Sequence, residues 1–219
     1  MLERIYVWEF PVRLTHWINA VCIVVLCITG YYIGKPFIHA TSTDQYIMGW
    51  MRFIHFIAGY LFTVSFLVRI YWAFKGNKYA RFKEFFYFTP KKFREVIEDI
   101  KRYLFIRKDH SKNIGHTALA STVYLILWIL FLSQILTGFA LYSQSHVGFF
   151  WNLMGGWLLS VFSAPTIRLY HNFMMWVMIA FFIGHVYLAW FNDRVHKGGF
   201  ISSIFSGYKI VEEDENKAS

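Results

Sequence analysis

Four histidines, His16, His55, His171 and His185, lie inside long apolar runs, and any chemistry the chain performs could start from them. A neutral imidazole nitrogen can ligate haem iron or shuttle a proton. Two of the four share the stretch 168–191, RLYHNFMMWVMIAFFIGHVYLAWF, and stand 14 positions apart. On an α-helix that spacing is about 21 Å of rise, with both side chains within roughly 40° of one face. An ionisable residue inside a membrane-crossing segment is costly and points to function. Two on one face, near opposite ends of a span, suggest one helix serving two stacked cofactors.

The composition supplies the elements that must position these rings. Of 219 residues, 57% are hydrophobic, 21% aromatic and 16% charged, with a mean hydropathy of +0.39. A soluble domain of this size carries more charge, so the chain reads as an integral membrane protein. The net charge of +9 does not point to nucleic acid, because the basic residues sit between apolar runs, where they report topology. Cys22 and Cys27 both fall in the first apolar run and read as small apolar residues, with no Cys-x-x-Cys-His for covalent haem attachment. The first apolar run follows Arg4 and Arg13 and lacks a small-residue cleavage pattern, so it reads as a retained anchor.

Four spans are predicted, at 14–33, 51–74, 116–142 and 168–191, each long enough to cross the hydrocarbon core. Between the second and third lies a polar connection, 75–112, with twelve Lys/Arg against five acids. Within it Thr89-Pro90 is a helix start, and Phe93, Val96, Ile97, Ile100 and Leu104 recur at helical spacing. This predicts an amphipathic helix at the membrane surface. The connection 143–166 carries no basic residue, and its FFWNLMGGWLLSVF is too short for a fifth span. The positive-inside rule puts the basic connection in the cytoplasm, and both termini with it. The expected fold is all-α: an integral membrane four-helix bundle with both termini cytoplasmic and an additional amphipathic surface helix. Residues 1–210 form the membrane domain and 211–219 a polar C-terminal tail, its end acidic and expected to be disordered.

Depth pairs the histidines. His55 and His171 fall near the outer surface, His16 and His185 near the cytoplasmic one. Two bis-histidine sites inside a bundle suit haem iron, and two ligands leave no open position, which favours electron transfer over oxygen chemistry. The plainer alternative for each ring is an interhelical hydrogen bond, and four rings at matched depths argue against it. A zinc site is disfavoured, since no carboxylate or thiolate joins the histidines. Arg13, Arg52, Arg69 and Arg168 lie near the two sites and could pair with haem propionates or snorkel to the interface. Gly59 and Gly184 could make room for a flat macrocycle or for close helix packing. His39, His110, His146 and His196 read as surface residues.

The spans also repeat. Arg52-Phe-Ile-His55 matches Arg168-Leu-Tyr-His171 at an offset of 116, which places Arg69 on His185. The first and third spans share a Thr-Gly-aromatic ending, Thr29-Gly30-Tyr31 and Thr137-Gly138-Phe139. The pattern reads as a decayed duplication of a two-helix hairpin.

His16 in RLTHWINA, Thr29-Gly30-Tyr31, and the tail FNDRVHKGGFISSIFSGYK complete a resemblance over nearly the whole chain. Its most specific part is Asp193, Arg194, Gly198, Gly199, Ser206, Gly207 and Tyr208. The sequence resembles the b-type cytochrome subunit of membrane-bound nickel–iron hydrogenases, a cytochrome b561-like dihaem family. The resemblance implies two b haems, on His16 with His185 and on His55 with His171. It implies an iron–sulfur small subunit and a nickel–iron large subunit as partners at the outer face of a bacterial inner membrane, and room for a higher oligomer of that complex. It also implies menaquinone or ubiquinone as electron acceptor. This chain would be the electron-transfer and quinone-reducing subunit of a hydrogen:quinone oxidoreductase and would hold no hydrogen-activating site. The four-histidine layout is shared with the cytochrome subunit of formate dehydrogenases, which is the alternative assignment. In those relatives an Asn-x-Gly motif at the start of the third span serves the quinone. Asn113, Gly115 and His116 match it here, with His116 where the relatives tend to carry Gln. A cofactor-free transporter or anchoring protein, from another class, would have no visible absorption.

Overall fold

A computed structural model describes residues 2–42, 44–82, 89–103, 118–196 and 199–212. In chain order its elements are β1 (Leu2–Tyr6), α1 (Phe10–Gly34), α2 (Ile47–Lys75), α3 (Pro90–Tyr103), α4 (Ala118–Ser143), α5 (Phe149–Trp151), a π-helical turn (Asn152–Gly156), α6 (Leu158–Val161), α7 (Ala164–His196), α8 (Phe200–Ser206) and β2 (Tyr208–Glu212). Four helices, α1, α2, α4 and α7, are long and apolar enough to cross a membrane. A backbone in lipid must satisfy its own hydrogen bonds, and an unbroken helix does so. The first, second and fourth predicted spans fall inside these helices, each of which runs further at both ends; the third, 116–142, begins two residues before α4, outside the described residues, and ends one residue short of it. The 149–161 segment forms short helical pieces and no fifth crossing.

Helix α3 begins as its Thr-Pro start predicts. Thr89 Oγ1 accepts from the Lys92 N–H at 3.3 Å, and the Thr89 carbonyl accepts from Phe93 N at 3.1 Å. Phe93, Ile97 and Ile100 are exposed, whereas Asp99 is buried and its Oδ2 accepts the Leu119 N–H at 3.0 Å in the first turn of α4. A carboxylate at a helix N-terminus satisfies an orphan donor and complements the helix dipole. Leu104 of the predicted apolar face lies outside the described residues.

The chain divides into two compact units, and each of the four long helices contributes to both. One unit comprises His16–Leu67 and Leu130–Gly184. In it the helices close a ring of contacts. Helix α1 meets α2 through Thr29 and His55, and α2 meets α4 through Phe62 and Phe66 on Phe131, ring centroids 5.0 and 5.8 Å apart. Helix α4 meets α7 through Thr137 and His171, and α7 returns to α1 through Trp176 on Tyr31, centroids 5.9 Å apart. The π-helical turn packs onto the same ring. A Cβ on Gly155 would stand 2.3 Å from the Leu136 carbonyl oxygen and 3.0 Å from Ala140 N, so glycine alone lets the turn lie against the α4 backbone.

The other unit comprises Met1–Thr15, Val68–Ile129 and His185–Ser219. Here the sequence reading had no counterpart for a two-stranded antiparallel sheet, in which β1 pairs with β2 from Leu2 opposite Glu212 to Tyr6 opposite Tyr208. Val7 N and Trp8 N donate to the Gly207 carbonyl at 2.8 and 3.0 Å. Gly207 adopts φ +90°, the left-handed region that favours glycine, and turns α8 into β2. Val7, Trp8, Val12, Tyr79 and Ala80 form a small buried core with Ile5, Trp72 and Ile204 against it. Glu9 Oε2 accepts from Trp72 Nε1 and from Asn77 N, both at 2.8 Å, and Asn77 Nδ2 donates to the Val7 carbonyl at 2.9 Å. Strand β2 continues past position 210 to Glu212, and residues 213–219 lie outside the described residues.

Candidate functional site

The site is clearest in the first of these units. His55 stands on α2 and His171 on α7, both half-buried. Each ring is met by a threonine from the neighbouring helix of its own hairpin. Thr29 Oγ1 of α1 lies 2.9 Å from His55 Nδ1, and Thr137 Oγ1 of α4 lies 2.8 Å from His171 Nδ1. A threonine hydroxyl has one proton. In both cases that proton has a closer taker one helical turn back, the Val25 carbonyl and the Ser133 carbonyl, each at 2.7 Å. With that proton on the helix carbonyl, each hydroxyl oxygen is an acceptor for an imidazole Nδ1–H, the arrangement that leaves Nε2 for a ligand bond.

A glycine follows each threonine. A Cβ on Gly30 would stand 3.2 Å from His55 Cε1, and one on Gly138 3.4 Å from His171 Cε1. Gly30 also sees Met175 Sδ, 3.7 Å from its ideal Cβ, on the turn of α7 that follows His171. So α1 faces both histidine-bearing helices at one point. Gln134, one turn before Gly138, donates from Nε2 to the His171 carbonyl at 3.2 Å, and its Oε1 is buried with no hydrogen-bond partner among the described residues. Outside these, Phe56, Tyr60, Phe139, Tyr142 and Trp151 form an aromatic cluster beginning beside His55.

The sequence profile of the prokaryotic cytochrome b561 family matches residues 7–207. The chain belongs to that family. It is 36% identical to a protein of Rhizobium leguminosarum named as a probable Ni/Fe-hydrogenase B-type cytochrome subunit, over 98% of this chain and 92% of that one. It is 38% identical to a protein of Escherichia coli K12 named as a probable Ni/Fe-hydrogenase 1 B-type cytochrome subunit, over 93% and 90%. A similarly named protein of Azotobacter vinelandii is 37% identical, over 96% and 90%. Four apolar helices and membership of this cytochrome family make the chain a multi-pass membrane protein.

A b561-type cytochrome implies b-type haem, and the His55–His171 residues fit one. Two imidazoles come from two different helices, each with its Nδ1 held by a threonine hydroxyl, and glycines stand beside the rings where side chains would crowd them. Gly59 and Gly184 are different: a Cβ at either meets nothing within 4 Å, so close helix packing does not hold them small.

The remaining predicted residues are placed one by one. His16 lies in the same unit as His55, half-buried, edge-on to Trp17 with centroids 5.3 Å apart. His185 lies in the second unit and is exposed. Arg52 and Arg168 are exposed, each three residues before its histidine. Arg13 Nη1 donates to the Phe205 carbonyl of α8. Arg69 is 4% exposed, its guanidinium over the Tyr124 and Trp128 rings at 5.3 and 5.7 Å and its Nη1 3.4 Å from the Ala80 carbonyl. Asn113, Gly115 and His116 lie outside the described residues. Thr29, Thr137 and Gln134 are contacts the sequence reading did not assign to the site. The signal for the threonines was present, since the Thr-Gly ending recurs just where the Arg-x-x-His start recurs.

Proposed function

We propose that this chain is the b-type cytochrome subunit that passes electrons from an outer-face nickel–iron hydrogenase to membrane quinone. The single observation that carries this reading is the doubled Thr–His hydrogen bond, which holds one histidine of each hairpin in place. The hydrogenase link rests on the names of relatives matched over nearly their whole length. His55 and His171 would hold one haem, and His16 and His185 a second, as helical rise and the resemblance pair them. Bound haem b would supply a one-electron carrier. The chain's residues would orient the imidazoles, exclude water with aromatic side chains, and bring cations to the ends of the spans. Arg13, Arg52, Arg69 and Arg168 are the candidates for propionate pairing. Asn113, Gly115 and His116 are the proposed quinone residues, with hydrogen-bonding capacity suited to a quinone carbonyl. The protein would sit in the bacterial inner membrane with both termini cytoplasmic. The partners would be an iron–sulfur small subunit and a nickel–iron large subunit.

The test uses membranes holding the whole complex. Hydrogen should produce a reduced b-type α-band, and an added oxidised quinone should bleach it. A band that answers to formate and ignores hydrogen assigns the chain to the alternative dehydrogenase. A chain with no visible absorption removes both.

A further inference from the structure

We propose that Thr29 and Thr137 are paired positioning residues that set the protonation pattern, ring orientation and redox potential of the His55–His171 centre. The inference rests on the reading of that pair as haem ligands and adds residues that the reading itself does not need.

Back-bonding by threonine in a helix is common and by itself means little. Thr15, Thr63 and Thr122 make the same bond, to the carbonyls of Pro11, Gly59 and Ala118 at 2.8, 2.8 and 3.0 Å. Thr29 and Thr137 add a histidine to it. Both are buried, at 4% and 8% exposure, so the oxygen cannot turn to water instead. With the hydroxyl proton given to the helix, the oxygen is an acceptor, which would hold each histidine as the Nδ1–H tautomer. A ligating histidine ordinarily donates its second nitrogen to a carboxylate, carbonyl or water. Within a membrane span, a carboxylate would bring a charge that lipid penalises. A back-bonded threonine is a neutral acceptor that also satisfies its own donor.

The device occurs twice, once per hairpin. Thr29-Gly30 of α1 serves His55 of α2, and Thr137-Gly138 of α4 serves His171 of α7. An acceptor on Nδ1–H makes an imidazole more basic and favours the oxidised metal, so the two threonines together hold the potential down. Substitution by valine keeps the volume and removes the acceptor. Substitution by serine keeps the acceptor.

The experiment compares the wild-type complex with T29V, T137V, the double valine variant, T29S and T137S. It measures haem per polypeptide, midpoint potential and the ferric low-spin electron paramagnetic resonance signal. Each valine variant should raise the potential, by up to about tenfold in the oxidised-to-reduced ratio, or ~59 mV for one electron. The shifts should add in the double variant, the resonance should move, and serine should restore both. Loss of haem with valine but not with serine supports the same assignment. Valine variants with unchanged haem, potential and resonance would overturn it, as would equal loss with serine and valine, which assigns the effect to packing. A wild-type protein without haem removes the functional reading and this inference together, whereas a coloured wild type with indifferent valine variants removes the inference alone.

Discussion

The two units of the chain treat the same helices differently. In the unit built from His16–Leu67 and Leu130–Gly184, the two hairpins carry equivalent contacts: threonine to histidine, glycine beside the ring, arginine three residues before the histidine. In the other, the equivalence is gone. Arg69, which aligns with His185 in the repeat, sits buried against Tyr124 and Trp128, while the chain ends are tied by a sheet and by Glu9. In the proposed His55–His171 centre each hairpin would give an equivalent ligand, so both copies of the threonine and the glycine would serve the same task. In the other unit the two copies have diverged.

That contrast can be broken at several points. The largest effect belongs to His55→Ala, which should empty the site in the symmetric unit and leave the other haem in place. Loss of both haems on quantitation, with the protein still folded, would show that the two proposed sites do not act separately. Next is Gly155→Ala. Its Cβ would meet a backbone oxygen at 2.3 Å, which no rotamer relieves, so the turn must move off α4. The expected cost is about 1–3 kcal/mol, read as a lower unfolding temperature in detergent. An unchanged melt means the turn does not depend on that contact.

Glu9→Ala addresses the other unit. It leaves Trp72 Nε1 and Asn77 N without their acceptor and should cost about 1–3 kcal/mol while the His55–His171 spectrum stays as in wild type. A spectral change there would contradict the separation of roles. The smallest effect is at Lys209, 6% exposed with its ammonium 5.4 Å over the Trp8 ring. Burial lowers its pKa from the ordinary 10.5 to about 8. The folded state therefore holds fewer protons than the unfolded one between those values, and stability should rise with pH across that window. Lys209→Met should stabilise the protein at neutral pH, with an advantage that shrinks as pH climbs above 8. An advantage constant with pH would show that the charge is not penalised.

The four crossings were legible in the sequence because an apolar run of helical length has few other uses. The start of α3 was legible for a local reason as well, the capping chemistry of Thr89 and Pro90. The sheet was not: β1 and β2 are five residues each and pair across nearly the whole chain, so no local pattern announces them. At the site the histidines stood out, since an ionisable residue in an apolar run is rare. Thr29 and Thr137 stood out only as repeated span endings, because threonine in a span ordinarily bonds only its own helix. Their second bond, to a histidine, appears only when the helices are set side by side. Arg69 was equally opaque, because the aromatic rings that receive it come from another helix.

Whether His55 and His171 hold a haem decides the proposed function. The most direct measurement is the haem-to-polypeptide ratio of the purified complex, taken with its reduced-minus-oxidised spectrum, for wild type and His171→Ala. Two b-type haems falling to one is the predicted result. A colourless wild type, or a ratio and α-band unchanged by the substitution, would contradict it.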